Sequence, residues 1–151
     1  MSRKQIIWFT ILVVVVVGAI TIYKIWNKPF TDPMDADAIP VTATKLLSDF
    51  STNEADAQKK YVPDKLGNKV VEVTGEIKEA GKNPDGETYY YLKTGDENSG
   101  VKCIMDKGAE IKDAKAGDAV KIRGFCDGVK KDSMLDIVMM DVIINRCKPV
   151  K

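Results

Sequence analysis

The chain has 151 residues, with 23 Lys plus Arg against 22 Asp plus Glu, 3 Cys and no His. The missing histidine excludes Ser-His-Asp and Cys-His catalysis and His-ligated zinc. From Val41 onward acidic and basic side chains balance, so the domain lacks the net positive charge that sequence-independent phosphate binding draws on.

Ile6 to Ile22 is an uncharged apolar run, preceded by Arg3 and Lys4 and bracketed by Trp8 and Trp26. A helix crossing the hydrocarbon core of a bilayer needs about 20 mostly apolar residues. On a helix the two Trp side chains stand about 27 Å apart, one for each membrane interface. Lys24 is close enough to the headgroups to snorkel. The expectation is an uncleaved signal anchor over residues 1–27. A cleaved signal peptide is the alternative: Val17-Gly18-Ala19 offers a small-residue cleavage site, although apolar residues continue past it. No cysteine follows the run closely enough for lipid attachment at a mature N-terminus. Arg3 and Lys4 predict a cytoplasmic N-terminus and an extracytoplasmic C-terminal domain, periplasmic where there is a periplasm.

Residues 28–40 contain Pro29, Pro33 and Pro40 with Asp32, Asp35 and Asp37, and read as an extended linker. Residues 41–151 form the folded domain. Within it, Ala43, Leu46, Leu47, Phe50, Ala57 and Tyr61 recur at helical spacing. Thr42 suits the N-cap, and Pro63 and Gly67 stop the helix. A helix covering a sheet is the ordinary reading of this stripe; a partner-binding helix is the other.

The period then switches to two. Val71, Val73 and Ile77 alternate with Glu72, Thr74 and Glu76, and Asn83-Pro84-Asp85-Gly86 makes a turn. Thr88 to Thr94 is a strand holding Tyr89, Tyr90, Tyr91 and Leu92. Val101, Cys103 and Met105 mark a third strand. Residues 107–115 predict a short helix. Val120, Ile122, Gly124 and Cys126 mark a fourth strand, residues 127–133 a turn, and residues 134–145 a fifth strand. In that last strand Asp136 and Asp141 fall on opposite faces by parity, which a bulge between them reconciles. Three strands, a short helix and two strands is the order of a five-stranded Greek-key OB barrel. The fold class is therefore mainly β, with an N-terminal amphipathic helix and one transmembrane helix before it.

Asn53 to Ala57 with Tyr61, Lys69 to Ile77, Gly100 to Met105, Ala116 to Gly128, and Leu135 to Met139 together resemble the tRNA-anti-like family of small OB domains. The likeness spans roughly Val41 to Ile144. It implies an OB barrel, exported or membrane-anchored. The family name records similarity to domains that bind tRNA anticodons and does not state an activity. Members often carry a third cysteine in the last strand; here Val142 stands near that position and Cys147 lies beyond it.

Cys103 and Cys126 share the parity of their strands' apolar faces and are a disulfide candidate, since export favours oxidation. Such a bond closes a loop of about 23 residues and contributes roughly 3 kcal/mol. Two buried free thiols acting as small apolar groups are the alternative. If Tyr90 and Leu92 point inward, Tyr89 and Tyr91 are exposed on the face where OB folds bind ligands, with Lys102 beside them. Arg123 is outward on the fourth strand. Three tyrosines also simply suit a strand. No motif calls for a cofactor or metal. The expected function is a non-catalytic binding module contacting an envelope protein or glycan. The alternative is a single-stranded nucleic-acid binder, which the neutral charge disfavours.

Overall fold

The computed structural model describes residues 2–26, 32–64, 69–134 and 137–151. The chain divides into two compact units, Met1–Phe30 and Thr31–Lys151.

The first unit is the helix α1, Arg3–Trp26, which has no buried residue and is long and apolar enough to cross a membrane. Its two threonine hydroxyls are satisfied within the helix. The Thr10 hydroxyl donates to the Ile6 carbonyl at 2.9 Å and Thr21 to Val17 at 2.8 Å, which removes their cost in an apolar solvent. Trp8 and Trp26 are exposed near its two ends.

The second unit runs β1 (Ala38–Thr42), α2 (Ala43–Thr52), α3 (Glu54–Tyr61), β2 (Val70–Lys82), β3 (Thr88–Leu92), β4 (Gly100–Met105), β5 (Ala119–Met134) and β6 (Ile137–Pro149). Strand order is β1-β2-β3-β4-β6-β5, and β2 also pairs with β5, closing β2 to β6 into a barrel. All ring pairings are antiparallel except β4 with β6. The fold is thus the mainly β, OB-like domain with an N-terminal helix that the residue pattern predicts, carrying six strands instead of five.

The sixth strand, β1, pairs in parallel with Val70–Thr74 of β2 and includes Ala38 to Pro40, which the sequence reading assigned to the linker. Pro40 is tolerated there because an edge strand has one unpaired side that needs no N–H. The rest of the expected linker lies partly in residues 27–31, outside the described residues, as do Gly67 and Asp136.

The expected helix over 42–61 is two helices. Thr42 caps α2, accepting from the Lys45 amide at 3.2 Å. Asn53 then leaves the helix at φ −150 and caps α3, accepting from the Asp56 amide at 3.3 Å. An asparagine side chain competes with the helix for backbone donors, so the break falls where a second cap can form. The short helix expected at 107–115 is a run of turns. Asp113 sits at φ 58 and Gly108 at φ 76, and the left-handed region does not propagate a right-handed helix. Ala109, Ile111 and Ala114 nonetheless pack against the core.

The turn expected at 127–133 is also absent. β5 continues to Met134 and pairs with β6 through residue 137. Asp127-Gly128 instead makes a bulge: Cys126 and Gly128 face the consecutive residues Ile144 and Ile143. A second bulge lies in β6. Cys103 and Met105 of β4 face Ile144 and Cys147, so β6 carries one extra residue. That residue is Arg146, at φ 53. The bulge expected between Asp136 and Asp141 is therefore not where the phase changes; it changes at Arg146.

The core follows from the alternation. Val71, Val73, Ile77, Tyr90, Leu92, Val101, Cys103, Met105, Ile122, Cys126, Val142, Ile144 and Cys147 line the barrel interior, and α2 adds Ala43, Leu46, Leu47 and Phe50. Each large side chain so buried contributes about 1.5–3 kcal/mol relative to exposure. α3 packs behind α2, with the Tyr61 ring tilted against that of Phe50 at 6.2 Å between centroids.

Candidate ligand-binding face

β3 alternates as its sequence predicts. Tyr90 and Leu92 are buried, and Tyr89 and Tyr91 lie on the outer surface, half-buried. On β4, Lys102 and Ile104 face outward between buried Val101, Cys103 and Met105. Register sets Tyr91 opposite Lys102 and Tyr89 opposite Ile104. Ile143 of β6 pairs with Lys102 on its other side. The result is a patch of Tyr89, Tyr91, Lys102, Ile104 and Ile143 across three adjacent strands.

Charges surround both rings. The Lys102 ammonium stands 4.3 Å from the Tyr89 ring centroid, and Lys78 stands 5.6 Å from that of Tyr91. Cations at this distance are held by the negative ring face. The Tyr89 hydroxyl donates to Glu79 at 2.9 Å, and the Tyr91 hydroxyl donates to Asp141. The Glu79 bond raises the Tyr89 pKa, and burial, followed by the Asp141 bond, raises that of Tyr91. Both phenols are therefore neutral donors at physiological pH.

Two strand glycines hold the rings close to the barrel. A Cβ on Gly81 would meet the Tyr89 ring at 2.8 Å, and one on Gly100 would meet the Tyr91 ring at 2.6 Å. Each tyrosine lies over a glycine and covers backbone that no side chain of its own protects. The ordinary structural role of these tyrosines is thus real, and it also fixes two aromatic surfaces in place.

Arg123 is not part of this patch. It is on β5, opposite Glu72 of β2, and its Nε donates to Glu72 at 2.7 Å. A second donation reaches the Met34 carbonyl at 3.4 Å. The Arg123 bond holds the Glu72 carboxyl below the ordinary value, with Lys121 at 3.6 Å adding to it. Arg123 therefore fixes the β2–β5 wall to the segment before β1. Sequence reasoning missed Glu79, Asp141, Gly81 and Gly100 as partners of the tyrosines. Their signals were the off-parity Asp141 and glycines within strand pattern.

Cys103, Cys126 and Cys147 are all free thiols and all buried. Cys147 therefore joins the core, where sequence parity had placed only the other two. Burial pushes the Cys126 thiol up to about 11 and also raises Cys147 well above its ordinary value. Neither provides a thiolate nucleophile near neutral pH. Among the described residues, no group of three His, Cys, Asp or Glu is placed to hold a metal.

Comparison with solved structures returns a Klebsiella pneumoniae lipoprotein described as a candidate nucleic-acid binder. It is 21% identical over 74% of this chain and 92% of its own, with a TM-score of 0.50. This is a likeness of fold. Parts of an Entamoeba histolytica asparaginyl-tRNA synthetase also match, at 15% identity over 60% of this chain and 23% of that one, with a TM-score of 0.34. So do parts of a Leishmania major protein assigned as an aspartyl-tRNA synthetase, at 12% identity over 76% and 21%, with a TM-score of 0.39. No curated protein matches the sequence. The tRNA_anti-like family model matches residues 1–138. With the closed barrel and its strand order, that match places the protein in the family: the chain belongs to the tRNA-anti-like proteins.

Proposed function

We propose that this protein is a membrane-anchored, non-catalytic binding module whose OB-like domain stands outside the cytoplasmic membrane and contacts an envelope glycan or protein. In this reading α1 is an uncleaved single-pass anchor. Arg3 and Lys4 stay on the cytoplasmic side, and Trp8 and Trp26 sit at the two interfaces. The ligand surface is the face of Tyr89, Tyr91 and Lys102, extended by Ile104.

The observation that carries this reading is the mixed charge around the aromatic rings. Glu79 and Asp141 each accept from a tyrosine of the patch. Carboxylates there repel a phosphate backbone and accept hydroxyl or amide protons, while an aromatic ring supports the apolar face of a sugar or a side chain. The buried thiols and the absence of histidine support a role without catalysis.

Single-stranded nucleic acid is the second reading. Its support is the Lys102 ammonium over Tyr89, since base stacking beside cations is how OB folds hold single strands. Fluorescence anisotropy separates the two. A labelled oligothymidine is titrated with the full-length protein in micelles at rising salt. The expected result is no saturable binding in the micromolar range. Micromolar affinity that falls steeply with salt, and that Lys102→Glu abolishes, would overturn the first reading in favour of the second.

A further inference from the structure

β5 and β6 outrun the barrel. β2 pairs with β5 only over residues 119–124 of β5, and β4 joins β6 only from Asp141 onward. Residues 131–134 and 137–140 therefore pair only with each other. A two-stranded ribbon in water is marginal without a layer packed on it. One face has such a layer at its root, where Met140 packs against the core and the Lys131 ammonium donates to Glu54 of α3.

The other face is open. Directly opposed residues share a face, and the register joins Lys130 with Asp141, Asp132 with Met139 and Met134 with Ile137. Asp141 accepts from the Tyr91 hydroxyl, so this is the outer surface of the barrel. Among the described residues of the domain, the exposed large apolar side chains are Met134, Ile137 and Val138, at 69%, 50% and 63%, with Met34 elsewhere. Apolar side chains scattered singly over a surface need no explanation, whereas a cluster at one projecting end marks a contact surface.

The charges on the open face say what covers it. Lys130 and Asp132 stand 3.6 Å apart there, 70% and 62% exposed. An ion pair so exposed contributes little within one chain, and both groups have room for a second partner. One cation and one anion, two residues apart on one strand, are self-complementary. A twofold axis that lays two such strands antiparallel sets each Lys130 against the other copy's Asp132.

We propose that the β5–β6 ribbon is a self-association surface, paired with the same ribbon of a second copy through Lys130 and Asp132, with Met134 and Ile137 buried against the other copy. One ribbon face is smaller than the about 800 Å² per partner of a standard interface. The proposal therefore rests on the anchored reading in one respect: copies confined to one membrane meet at a raised effective concentration.

The test measures energy transfer between copies of the full-length protein in phosphatidylcholine vesicles. Donor and acceptor are attached through Asp85→Cys, in an exposed turn, and the native thiols are buried. The expected transfer persists as the lipid excess is raised. It is lost in Lys130→Asp and in Asp132→Lys taken singly. It returns in the double variant, and also when one single variant carries the donor and the other the acceptor. No transfer in the parent, equal transfer in every variant (as lateral association of α1 gives), or no return in the double variant and the mixture would each overturn the proposal. The N-terminus of the protein taken from cell membranes is sequenced in parallel. A chain beginning at Ile20 overturns the anchored reading, while the vesicle result decides the pairing by itself.

Discussion

Replacing Phe50 with alanine is expected to cost about 4 kcal/mol of domain stability, the usual range for deleting a fully buried aromatic side chain being about 3–5. Phe50 is 1% exposed and sits in the core formed by α2 and the barrel. It also positions α3. Tyr61 packs against its ring at 6.2 Å, and the Tyr61 hydroxyl donates at 2.6 Å to Asp49, the preceding residue of α2. Losing the ring therefore leaves a cavity between α2, α3 and the barrel, and only partial collapse can fill it. A loss of this size is a large part of the about 5–15 kcal/mol that holds an ordinary domain together. Thermal unfolding of the full-length protein in micelles, followed by near-ultraviolet circular dichroism, should show a drop of roughly 15 °C. Ser48→Ala, on the exposed side of the same helix, should stay within about 0.5 kcal/mol of the parent. Equal small effects from both would show that α2 is not part of the core.

Gly124→Ala is the second large effect, and it runs in the opposite direction, by adding an atom. The new Cβ would stand 2.7 Å from Ile144 Cγ2, 2.8 Å from Cys147 Sγ and 2.9 Å from the Asn145 carbonyl oxygen. Side chains can shift by a few tenths of an ångström. The Asn145 carbonyl cannot, because it belongs to the bulged stretch where β6 pairs with both β4 and β5. The expected cost is about 2–3 kcal/mol, typical of overpacking a closed core. Measured against Cys147→Ala alone, the same glycine change should cost less, because the sulfur contact is gone and only the part owed to the carbonyl remains. Urea midpoints of the single and double variants measure both quantities. Full rescue would mean that the sulfur alone enforces glycine here; no loss at all would mean that β5 and β6 do not approach so closely.

The legible parts of this fold are those set by local alternation. Val71, Val73 and Ile77, the inward Tyr90 and Leu92, and Cys103 between Lys102 and Ile104 all follow from a period of two. The same rule placed Tyr89, Tyr91 and Lys102 together, and the order of strands and turns gave the barrel. What period two cannot show is a change of phase. The extra residue at Arg146 moves Cys147 into the core, and the Asp127-Gly128 bulge lets β5 run through what reads as a turn. Composition also misled at 107–115, where apolar positions spaced like a helix are anchors of a looping segment. Arg123 was outward as expected, but outwardness does not say which neighbour it meets. Glu72 lies 51 positions away in sequence, and only strand pairing brings it there. The tyrosine–glycine contacts were hidden for the same reason, since Gly81 and Gly100 come from different strands.

The central claim is that the Tyr89, Tyr91 and Lys102 face binds an envelope glycan or protein. Photocrosslinking in intact cells tests it most directly. A benzophenone amino acid replaces Ile104, within the face, or Lys121, which is exposed on the β2–β5 wall. The account predicts a discrete adduct from position 104 that survives nuclease, is lost with Tyr89→Ala, and does not form from position 121. An adduct that nuclease removes, or equal adducts from both positions, would contradict it.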